Sequence, residues 1–545
     1  MAITKIYSTE VLIRVINIKS PLLCLPQKTV IFCKYWQMIK MVIIMNSNWF
    51  QKKVDEITMR NNTNQQKNEV SSDLDFNTRY FKSQLGSSFD VKYRNCTVDD
   101  KNFVFIMLDG MCDSLLITEQ IMNPIINADF SDVSEEKAIY YAADRVSASI
   151  DKSITNDLDK AIAELISGNL VMFCDGSQFA ILFGVQKFPK RTPLEPNTEM
   201  QERGSREGFV ESFKDNITML RRRVRNPVFK IETVEVGTTT KTRACVCYMS
   251  DRVNNKLLEN VLDRIKNATL DTVLGAGYLQ SFLDSKHPSI FSGVGFTERP
   301  DVAVAKMAEG KICIIVDGTP NAVIVPYLFI EHFHSLDDYL KRPYYATFIR
   351  LLKIVSFLFS VFLPGLYVAI CTFHQEIIPE TMIFGITGQE SRTPLPIMIE
   401  AIFIHLVYEI VREAGLRMPK TVGHAISIVG ALVIGESAVT AGIVSAPMII
   451  VVGLTAVSSF VVSTLYEPVA ILRFAFIIVG GLTGLYGIML CFAAVLVNAS
   501  AITPSGVPFT SPLSPTKSGA WRDMVLRADW KTMGKKRMQI NKLEK

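Results

Sequence analysis

Carboxylates inside apolar stretches are the residues of this sequence whose placement points most directly to chemistry. Glu400 and Glu409 lie in one apolar stretch, and Glu436 lies in another. A carboxylate inside a membrane is costly and usually faces a cavity or a partner, and rings of Glu in an oligomer favour cations. Two plainer interpretations stay open: Glu436 is a surface residue at a helix end, or Glu409 pairs with Arg412.

The remaining residues that could do chemistry lie outside these stretches and do not form a catalytic pattern. Asp175 and Asp317 each follow an apolar run and precede Gly, which predicts a turn. His332 and His334 flank a phenylalanine without partners at metal-ligand spacing. No nucleophile–base pair appears, so an enzyme is the least favoured class and no cofactor is expected.

Charge is distributed unevenly along the 545 residues, whose net charge is +5 and hydrophobic content 48%. Charged residues form 24% of residues 1–350 but 8% of residues 351–516, and the tail 517–545 has a net charge of +6. Soluble domains usually carry about 25% charged residues. The distribution excludes a uniformly basic nucleic-acid binder and a wholly secreted protein. It predicts a soluble region, a membrane region and a short basic tail.

An internal repeat connects residues 168–177 with residues 310–319, at a separation of 142 positions. In each stretch an apolar run leads to Asp-Gly, and a second apolar run follows. Leu115 matches Leu257 at the same separation, which makes a chance match less credible. We therefore predict two copies of one α/β unit, each containing a hairpin at its Asp-Gly.

The polar stretch between the two copies is predicted to be a linker that ends in a helix. Ser205 is the candidate N-cap of this helix, whose end carries Arg221, Arg222 and Arg223. The arginine cluster either contacts another subunit or anionic lipid, or it is a solvated helix end.

The predicted fold class is an α/β cytoplasmic region of two repeated subdomains followed by an α-helical transmembrane bundle. The predicted boundaries are 1–70 for a variable or disordered N-terminal extension, 71–190 for subdomain 1, 191–227 for the linker with its helix, 228–340 for subdomain 2, 341–500 for the transmembrane domain and 501–545 for the basic cytoplasmic tail.

The membrane region is predicted from its apolar segments, several of which are long enough to span a bilayer. They run over 351–371, 394–411, 422–441, 443–465 and 470–498. Basic residues place the N-terminal region, the loop 412–421 and the tail inside, and the acidic loop 372–393 outside. Five full crossings would instead put the tail outside. Either one segment does not cross fully or the segment 470–498 is broken, and irregular backbone at this depth indicates a channel or transporter.

Small residues are concentrated between positions 422 and 446. They allow helix backbones to approach closely, so tight helix packing is one interpretation. The other interpretation places this helix around a pore, with Val429 and Val433 as a hydrophobic gate. The candidate pore and gate residues are Ser427, Val429, Gly430, Val433, Gly435 and Glu436.

Several motifs along the chain form a specific combination. They include Gly204-Ser205-Arg206-Glu207-Gly208-Phe209, Thr297-Glu298-Arg299-Pro300-Asp301, Val316-Asp317-Gly318-Thr319-Pro320 and Arg412-Glu413-Ala414-Gly415. With these motifs the sequence resembles the A subunits of GerA-type spore germinant receptors. The resemblance assigns structural or coupling roles to Gly204, Ser205, Arg206, Gly208, Asp317, Gly318, Arg412, Glu413 and Gly415.

The resemblance implies a nutrient sensor of the spore inner membrane, with the N-terminal region and the tail on the spore-core side. It implies a homo-oligomer that forms a germinant-gated cation channel, together with a permease-like B subunit and a lipoprotein C subunit. No nucleic-acid partner is expected. The alternatives are a non-conducting scaffold or transducer of the receptor, the family member associated with the dipicolinate channel, and a transporter.

Overall fold

The computed structural model describes residues 68–86, 88–146, 150–187, 196, 199, 201–285, 288–418, 435–514 and 523–533. Residues 69–545 form one compact unit. Within the described residues an α/β part with two sheets precedes a helical part.

The first sheet is antiparallel, with strand order β1-β2-β4-β5-β3. Its strands are β1 (Val91–Val98), β2 (Lys101–Leu108), β3 (Lys152–Thr155), β4 (Leu170–Cys174) and β5 (Ala180–Phe183). The longer helices beside it are α1 (Leu74–Leu85), α2 (Glu135–Arg145) and α3 (Leu158–Ile166), and a helical run comprises Ser114–Leu116, the π-helix Ile117–Met122 and Asn123–Ile126.

The second sheet repeats this order as β6-β7-β9-β10-β8, again antiparallel. Its strands are β6 (Phe229–Val236), β7 (Thr242–Met249), β8 (Gly295–Thr297), β9 (Ile312–Val316) and β10 (Ala322–Val325). The longer helices are α4 (Phe213–Arg223), α5 (Asn255–Lys266) and α6 (Pro300–Ala308), and the short ones are Ala276–Leu279, Gln280–Leu283, Phe329–Phe333 and Asp337–Leu340. The predicted internal repeat is therefore a repeat of topology.

Strands β4, β5, β9 and β10 are buried on both faces of their sheets, which explains their uninterrupted apolar sequences. In β4 every residue is buried; Met172 packs into the core on one face, and Val171 and Phe173 pack into the core on the other. Alternate side chains of a strand point to opposite faces, so a strand with no polar face needs two covers. The Asp-Gly turns are also as predicted: Gly176 and Gly318 have φ of 78° and 85°, a left-handed conformation that glycine adopts without strain.

The helical part begins directly after the second sheet. Its longer helices are α7 (Pro343–Phe373), α8 (Glu380–Glu390), α9 (Ile397–Arg417), α10 (Ala446–Val461) and α11 (Tyr466–Ala501), and residues 435–440 are helical as well. Short helices lie at Gln375–Ile377, Ser463–Leu465, Pro504–Gly506 and Trp530–Met533. Two helical stretches, Pro343–Phe373 and Ser463–Ala501, are long and apolar enough to cross a membrane, and α10 is a shorter apolar helix.

The long helix α11 is broken at Gly484, whose φ of 66° and ψ of −154° lie outside the helical region. The side chain of Phe373, at the end of α7, packs against this glycine. The two arms on either side of the break return to the same place. Thr464, just before α11, contacts the carbonyl of His332 at 3.5 Å, and Asn498 contacts Ser289 at 2.7 Å.

These contacts make α11 a hairpin whose two ends both lie against the second sheet's subdomain. Phe362 of α7 confirms the reversal, because its ring contacts Phe476 on one arm and Phe492 on the other, at 4.6 and 5.4 Å between centroids. We call the end of the helical part that contacts this subdomain the near end, and the end at Phe373 the far end. The sequence allowed two explanations for the conflict between five apolar segments and a basic tail on the inside. The second of them applies, because the segment 470–498 is broken at Gly484.

Candidate functional site between the second sheet and the helical part

A buried ion cluster lies where the second sheet meets the helical part. Glu331 lies in the short helix Phe329–Phe333 and forms salt bridges with two lysines. Its Oε1 lies 2.6 Å from Lys306 Nζ, and its Oε2 pairs with Lys311. Its Oε2 additionally accepts the backbone N–H of Leu328 at 2.8 Å. Lys311 and Glu331 are at most 1% exposed. Ions this deep are stabilised only by close pairing, so each partner depends on the other.

The electrostatics of the cluster follow from burial acting against charge pairing. Burial raises the pKa of the Glu331 carboxyl, but the two lysines outweigh it and hold that pKa far below its usual range. Burial lowers the pKa of Lys311 to about 8. Burial opposes charge on Lys306 too, yet Glu309 and Glu331 raise the pKa of Lys306 well above its usual value. The cluster thus holds Glu331 as a carboxylate.

Aromatic rings close over these ions. The ring of Tyr327 lies 5.2 Å from the Lys311 ammonium and 5.7 Å from that of Lys306, within cation–π range. His332 packs edge-on against Tyr327 at 4.8 Å between centroids. Burial lowers the pKa of His332 to about 4, so this ring is neutral at physiological pH.

A second buried ion group connects the base of α7 to the chain's C-terminal segment. Arg350 is fully buried, and its Nε donates to Asp338 at 3.1 Å. Its Nη1 donates to the carboxylate and the carbonyl of Asp523, each at 3.1 Å. The Tyr339 hydroxyl donates to the other oxygen of Asp523 at 3.0 Å. One guanidinium thus joins three distant parts of the sequence.

The tail segment 523–533 docks along the same surface. His334 Nε2 lies 2.7 Å from the carbonyl of Met524, which can only accept, so this nitrogen carries the proton. The backbone N–H of Arg527 donates to the hydroxyl of Thr347 at 3.0 Å, and Trp530 Nε1 donates to the carbonyl of Tyr339 at 3.2 Å. The tail is therefore tied to both α7 and the second subdomain.

Inside the helical part, Arg473 of α11 pairs with Glu409 of α9 at 3.1 Å, and its Nε donates to the carbonyl of Ser360 at 3.1 Å. Tyr466 donates to the same carboxylate, and the Arg412 guanidinium stacks on the Tyr466 ring. Glu409 therefore pairs with Arg473 and not with Arg412. A carboxylate and a guanidinium stabilise each other at this depth.

Glu400 is completely buried near the far end, at the start of α9. One of its carboxylate oxygens accepts both the N–H and the hydroxyl of Ser445, at 2.7 and 2.8 Å. Ser445 is the N-cap residue of α10, so a carboxylate from one helix completes the N-terminus of another.

Comparison with known proteins assigns the chain to a family. Residues 79–539 match the family described as Bacillus/Clostridium GerA spore germination protein. The chain belongs to this family. The match includes both sheets, the helical part and the docked tail segment.

Three relatives illustrate the similarity. Spore germination protein KA of Bacillus subtilis strain 168 is 35% identical, covering 87% of this chain and 88% of the relative. Spore germination protein GerLA of Bacillus cereus is 30% identical over 82% and 91%. Stage V sporulation protein AF of Bacillus subtilis strain 168 is 29% identical over 83% and 92%.

Among solved structures, the N-terminal domain of the A subunit of the Bacillus megaterium spore germinant receptor GerK3 is similar at a TM-score of 0.40 and 23% identity. The similarity covers 49% of this chain and 99% of that domain.

The motif at residues 204–209 forms a loop. Arg299, which belongs to the motif at residues 297–301, holds this loop in place. The guanidinium of Arg299 donates to Gln201, to the carbonyl of Ser205 and to Asp301, each at 2.7 Å. Gly204 has a φ of 133°, and a Cβ there would lie 2.8 Å from Gln201. Gly208 is buried and Arg206 is exposed. The two motifs therefore form one structural unit.

One expectation about the following helix is wrong, and a second is wrong for Arg221. α4 begins at Phe213 with Ser212 as its N-cap residue, so Ser205 is not the cap. Arg221 is neither solvated nor available to another subunit, because it is 1% exposed and donates twice to Asp90, at 2.9 Å each. A buried partner 131 residues away cannot be seen in local sequence. The pair joins the second subdomain to the first.

The other motif residues have local roles in the structure. Asp317 accepts the N–H of Phe213 at 3.4 Å, and the N–H of Gly318 donates to Glu211 at 2.9 Å, so the second Asp-Gly turn meets the start of α4. On α9, Glu413 pairs with Arg417 at 2.7 Å one turn away. Gly415 is half-buried on the same helix.

The predicted pore residues are only partly within the described structure. Ser427, Val429, Gly430 and Val433 lie outside the described residues. Gly435 is half-buried and Glu436 is exposed, both in the helical segment 435–440.

The structure adds several residues that sequence reasoning missed, namely Lys306, Lys311, Glu331, Arg350, Asp338, Asp523 and Arg473. Lysines at the end of a helix look like solvated residues, so their burial gives no local signal. The repeat offers one clue: 142 positions earlier, Lys306 and Lys311 are replaced by Glu164 and Asn169. The site consists of paired ions that connect separate parts of the chain.

Proposed function

We propose that this chain is the A subunit of a nutrient germinant receptor in the spore inner membrane. In this proposal it oligomerises into a germinant-gated cation channel, together with a permease-like B subunit and a lipoprotein C subunit. The GerA-family match over residues 79–539 carries the germination role. Relatives named as spore germination proteins, at 30–35% identity over most of their length, support it.

The path of the helices supports an even number of membrane crossings. α7 runs from the near end to the far end, and α9 returns, since Glu400 lies at the far end and Glu409 beside Arg473 nearer the sheet. α10 begins at the far end, beside Glu400. α10 then returns, and the α11 hairpin goes out and back.

In this proposal α7 starts and the α11 hairpin ends at the near end, so an even number of passes places both the N-terminal region and the basic tail on the cytoplasmic side. This agrees with the tail's charge of +6 under the positive-inside rule. The docking of Asp523 on Arg350, at the near end, supports the same placement.

Coupling between germinant and gate is assigned to the near-end ion clusters. A rigid connection is needed if events in the α/β part are to move α7 and α11. Glu331 belongs to the second sheet's subdomain, where it binds Lys306, and Arg350 belongs to α7. The tail contacts this subdomain through His334 and contacts α7 through Arg350. We place the gate at Val429 and Val433.

Cation flux tests the channel proposal directly. The full chain, assembled with its B and C subunits in lipid vesicles, is expected to pass monovalent cations when germinant is added.

Val429→Ala or Val433→Ala is expected to loosen the gate and cause spontaneous germination of spores. Val457→Ala is the matched control, since Val457 is 63% exposed on the apolar helix α10. Normal dormancy in both gate variants would contradict the gate placement.

A non-conducting transducer is the second candidate, and the similarity to Stage V sporulation protein AF keeps a related family role beside it. Bulky replacements at Ser427, Gly430 and Gly435 separate a channel from a transducer. A channel is expected to lose flux and germination, whereas a transducer would germinate normally. Neighbouring genes for permease-like and lipoprotein subunits would support the receptor role.

A further inference from the structure

Four polar side chains meet at the far end of the helical part, away from the near-end ion clusters. Tyr367 comes from α7, Glu390 from the end of α8, Glu400 from α9 and Ser445 from the start of α10. The Tyr367 hydroxyl lies 3.4 Å from Glu390, and the Tyr367 side chain packs against the apolar cluster that contains Ala401 and Val444, the neighbours of Glu400 and Ser445. Every side chain in this group offers an oxygen.

Glu400 has one oxygen satisfied and one without a partner. The Oε1 atom of Glu400 caps α10, because it accepts hydrogen bonds from both the N–H and the hydroxyl of Ser445. Among the described residues, Oε2 has no hydrogen-bond partner although it is buried and the whole side chain is 0% exposed. A buried carboxylate oxygen left without a donor costs free energy, so helix capping alone does not account for this residue.

In the described helical part the ion pairs involve Glu413 and Glu409, and none involves Glu390 or Glu400. Glu390 is half-buried, and burial together with the nearby Glu400 raises the pKa of Glu390. The basic residue next in sequence, Arg392, is exposed. Two carboxylates that approach each other in a partly buried site require a positive partner or a shared proton.

We propose that Glu400 and Glu390, with the hydroxyls of Tyr367 and Ser445, bind an alkali-metal cation at the far end of the helical part. Oxygen ligands suit hard cations. In the part of the chain that the structure describes, no three His, Cys, Asp or Glu side chains converge to hold a metal ion, which favours a monovalent cation over Ca²⁺ or a transition metal. The inference goes beyond the proposed channel, because binding requires no conduction.

Thermal unfolding of the full chain in nanodiscs of zwitterionic lipid tests the site. Unfolding midpoints are compared in NaCl, KCl, choline chloride and CaCl₂ at equal ionic strength. A cation that binds only the folded chain raises the midpoint; the rise per kcal/mol is smaller than the roughly 2–4 °C typical of proteins of about 150–250 residues, because this chain is longer. We expect a rise with Na⁺ or K⁺ relative to choline, and the stronger of the two identifies the preferred ion.

Variants then locate the effect. Glu390→Gln and Glu400→Gln are expected to abolish the alkali-dependent rise, and Glu390→Gln leaves the cap on α10 intact should Glu400→Gln fail to fold. Glu380→Gln is the matched control, because Glu380 is an exposed carboxylate on the same helix as Glu390. The control is expected to keep the full rise.

Equal midpoints in alkali and choline salts would overturn the proposal in favour of a shared proton, and a larger rise with Ca²⁺ would overturn the monovalent class. A rise that survives in both Gln variants would overturn the location. The measurement is independent of flux: a non-conducting chain that keeps its alkali-dependent midpoint contradicts the channel and leaves this site standing.

Discussion

The two sheets share one strand order but differ in how they use corresponding positions. Beside the first sheet, Asn169 donates to Glu164 at 2.6 Å, a half-buried pair near the surface. At the same positions beside the second sheet, Lys311 and Lys306 reach into the core and share Glu331. Both copies have the same strand order, and they differ in these charged contacts.

The two copies also differ in their attachment to the helical part. The core on one face of the second sheet continues into α7 and α11, through residues such as Phe333, Val361 and Phe476. The first sheet is joined to the second by Arg221–Asp90 and by the backbone bond from Phe89 to Ile231. The second copy is therefore the one whose core is continuous with the helical part.

The largest expected effect comes from breaking the second copy's ion cluster. Glu331→Gln leaves Lys306 and Lys311 without their shared charge, and we expect a loss of about 3–5 kcal/mol, as for other buried pairs that lose one partner. Hydrogen exchange of β9 and β10 in the full chain measures this locally, which suits a protein of several parts.

The matched control is Glu164→Gln, at the position that corresponds to Lys306. It removes one half-buried hydrogen bond, so a loss of about 0–1 kcal/mol is expected. Equal losses of exchange protection in the two variants would mean that the copies are not specialised in the way described.

The next largest effect is expected at the connection between the copies. Asp90→Asn weakens a double ion pair, but Arg221 keeps its bond to the carbonyl of Phe229 at 3.0 Å, so we expect a loss of about 2–3 kcal/mol. Asp109→Asn is the control, since Asp109 forms an exposed pair with Lys214 and should cost about 0–1 kcal/mol. Exchange of β6 is the measurement; unchanged protection in Asp90→Asn would show that the backbone bridge suffices.

Sequence patterns predicted the framework better than the connections. The repeat and both hairpins were predictable, because apolar periodicity and Asp-Gly turns are local signals. The ion-pair partners of Arg221, Lys311 and Arg350 were not predictable. Each partner lies outside the local sequence, and a lysine or arginine side chain is normally expected to be exposed to solvent. Gly484 was ambiguous for a related reason: a glycine in an apolar helix marks either close packing or a break, and only tertiary contacts decide.

Acid is expected to weaken the second copy selectively, because residues 71–190 contain no histidine. Burial lowers the pKa of His334 well below its usual value and that of His332 to about 4. A lowered folded-state pKa gives stability that is complete above about pH 6.5 and is lost as pH falls through that value towards the folded pKa. Both histidines together are expected to cost about 3 kcal/mol by pH 5.5.

Exchange protection of β9 and β4 as a function of pH measures this difference. Protection of β9 should fall between pH 7 and 5.5, while that of β4 stays nearly constant. Glu309, whose pKa burial raises, acts in the opposite direction and reduces the slope. The double variant His332→Asn with His334→Asn is expected to lose the slope; an unchanged slope would assign it to other groups.

The smallest effect is expected where the tail docks. Asp523→Asn removes one charge opposite Arg350, while the carbonyl of Asp523 and the carboxylate of Asp338 keep their bonds, so we expect a loss of about 1 kcal/mol. Faster proteolysis of the tail in the full chain would report it. Asp529→Asn changes an exposed carboxylate in the same segment and should leave the rate unchanged. If both variants are cleaved at the wild-type rate, the tail is held mainly by the backbone and aromatic contacts of Met524 and Trp530, and Arg350 serves α7 alone.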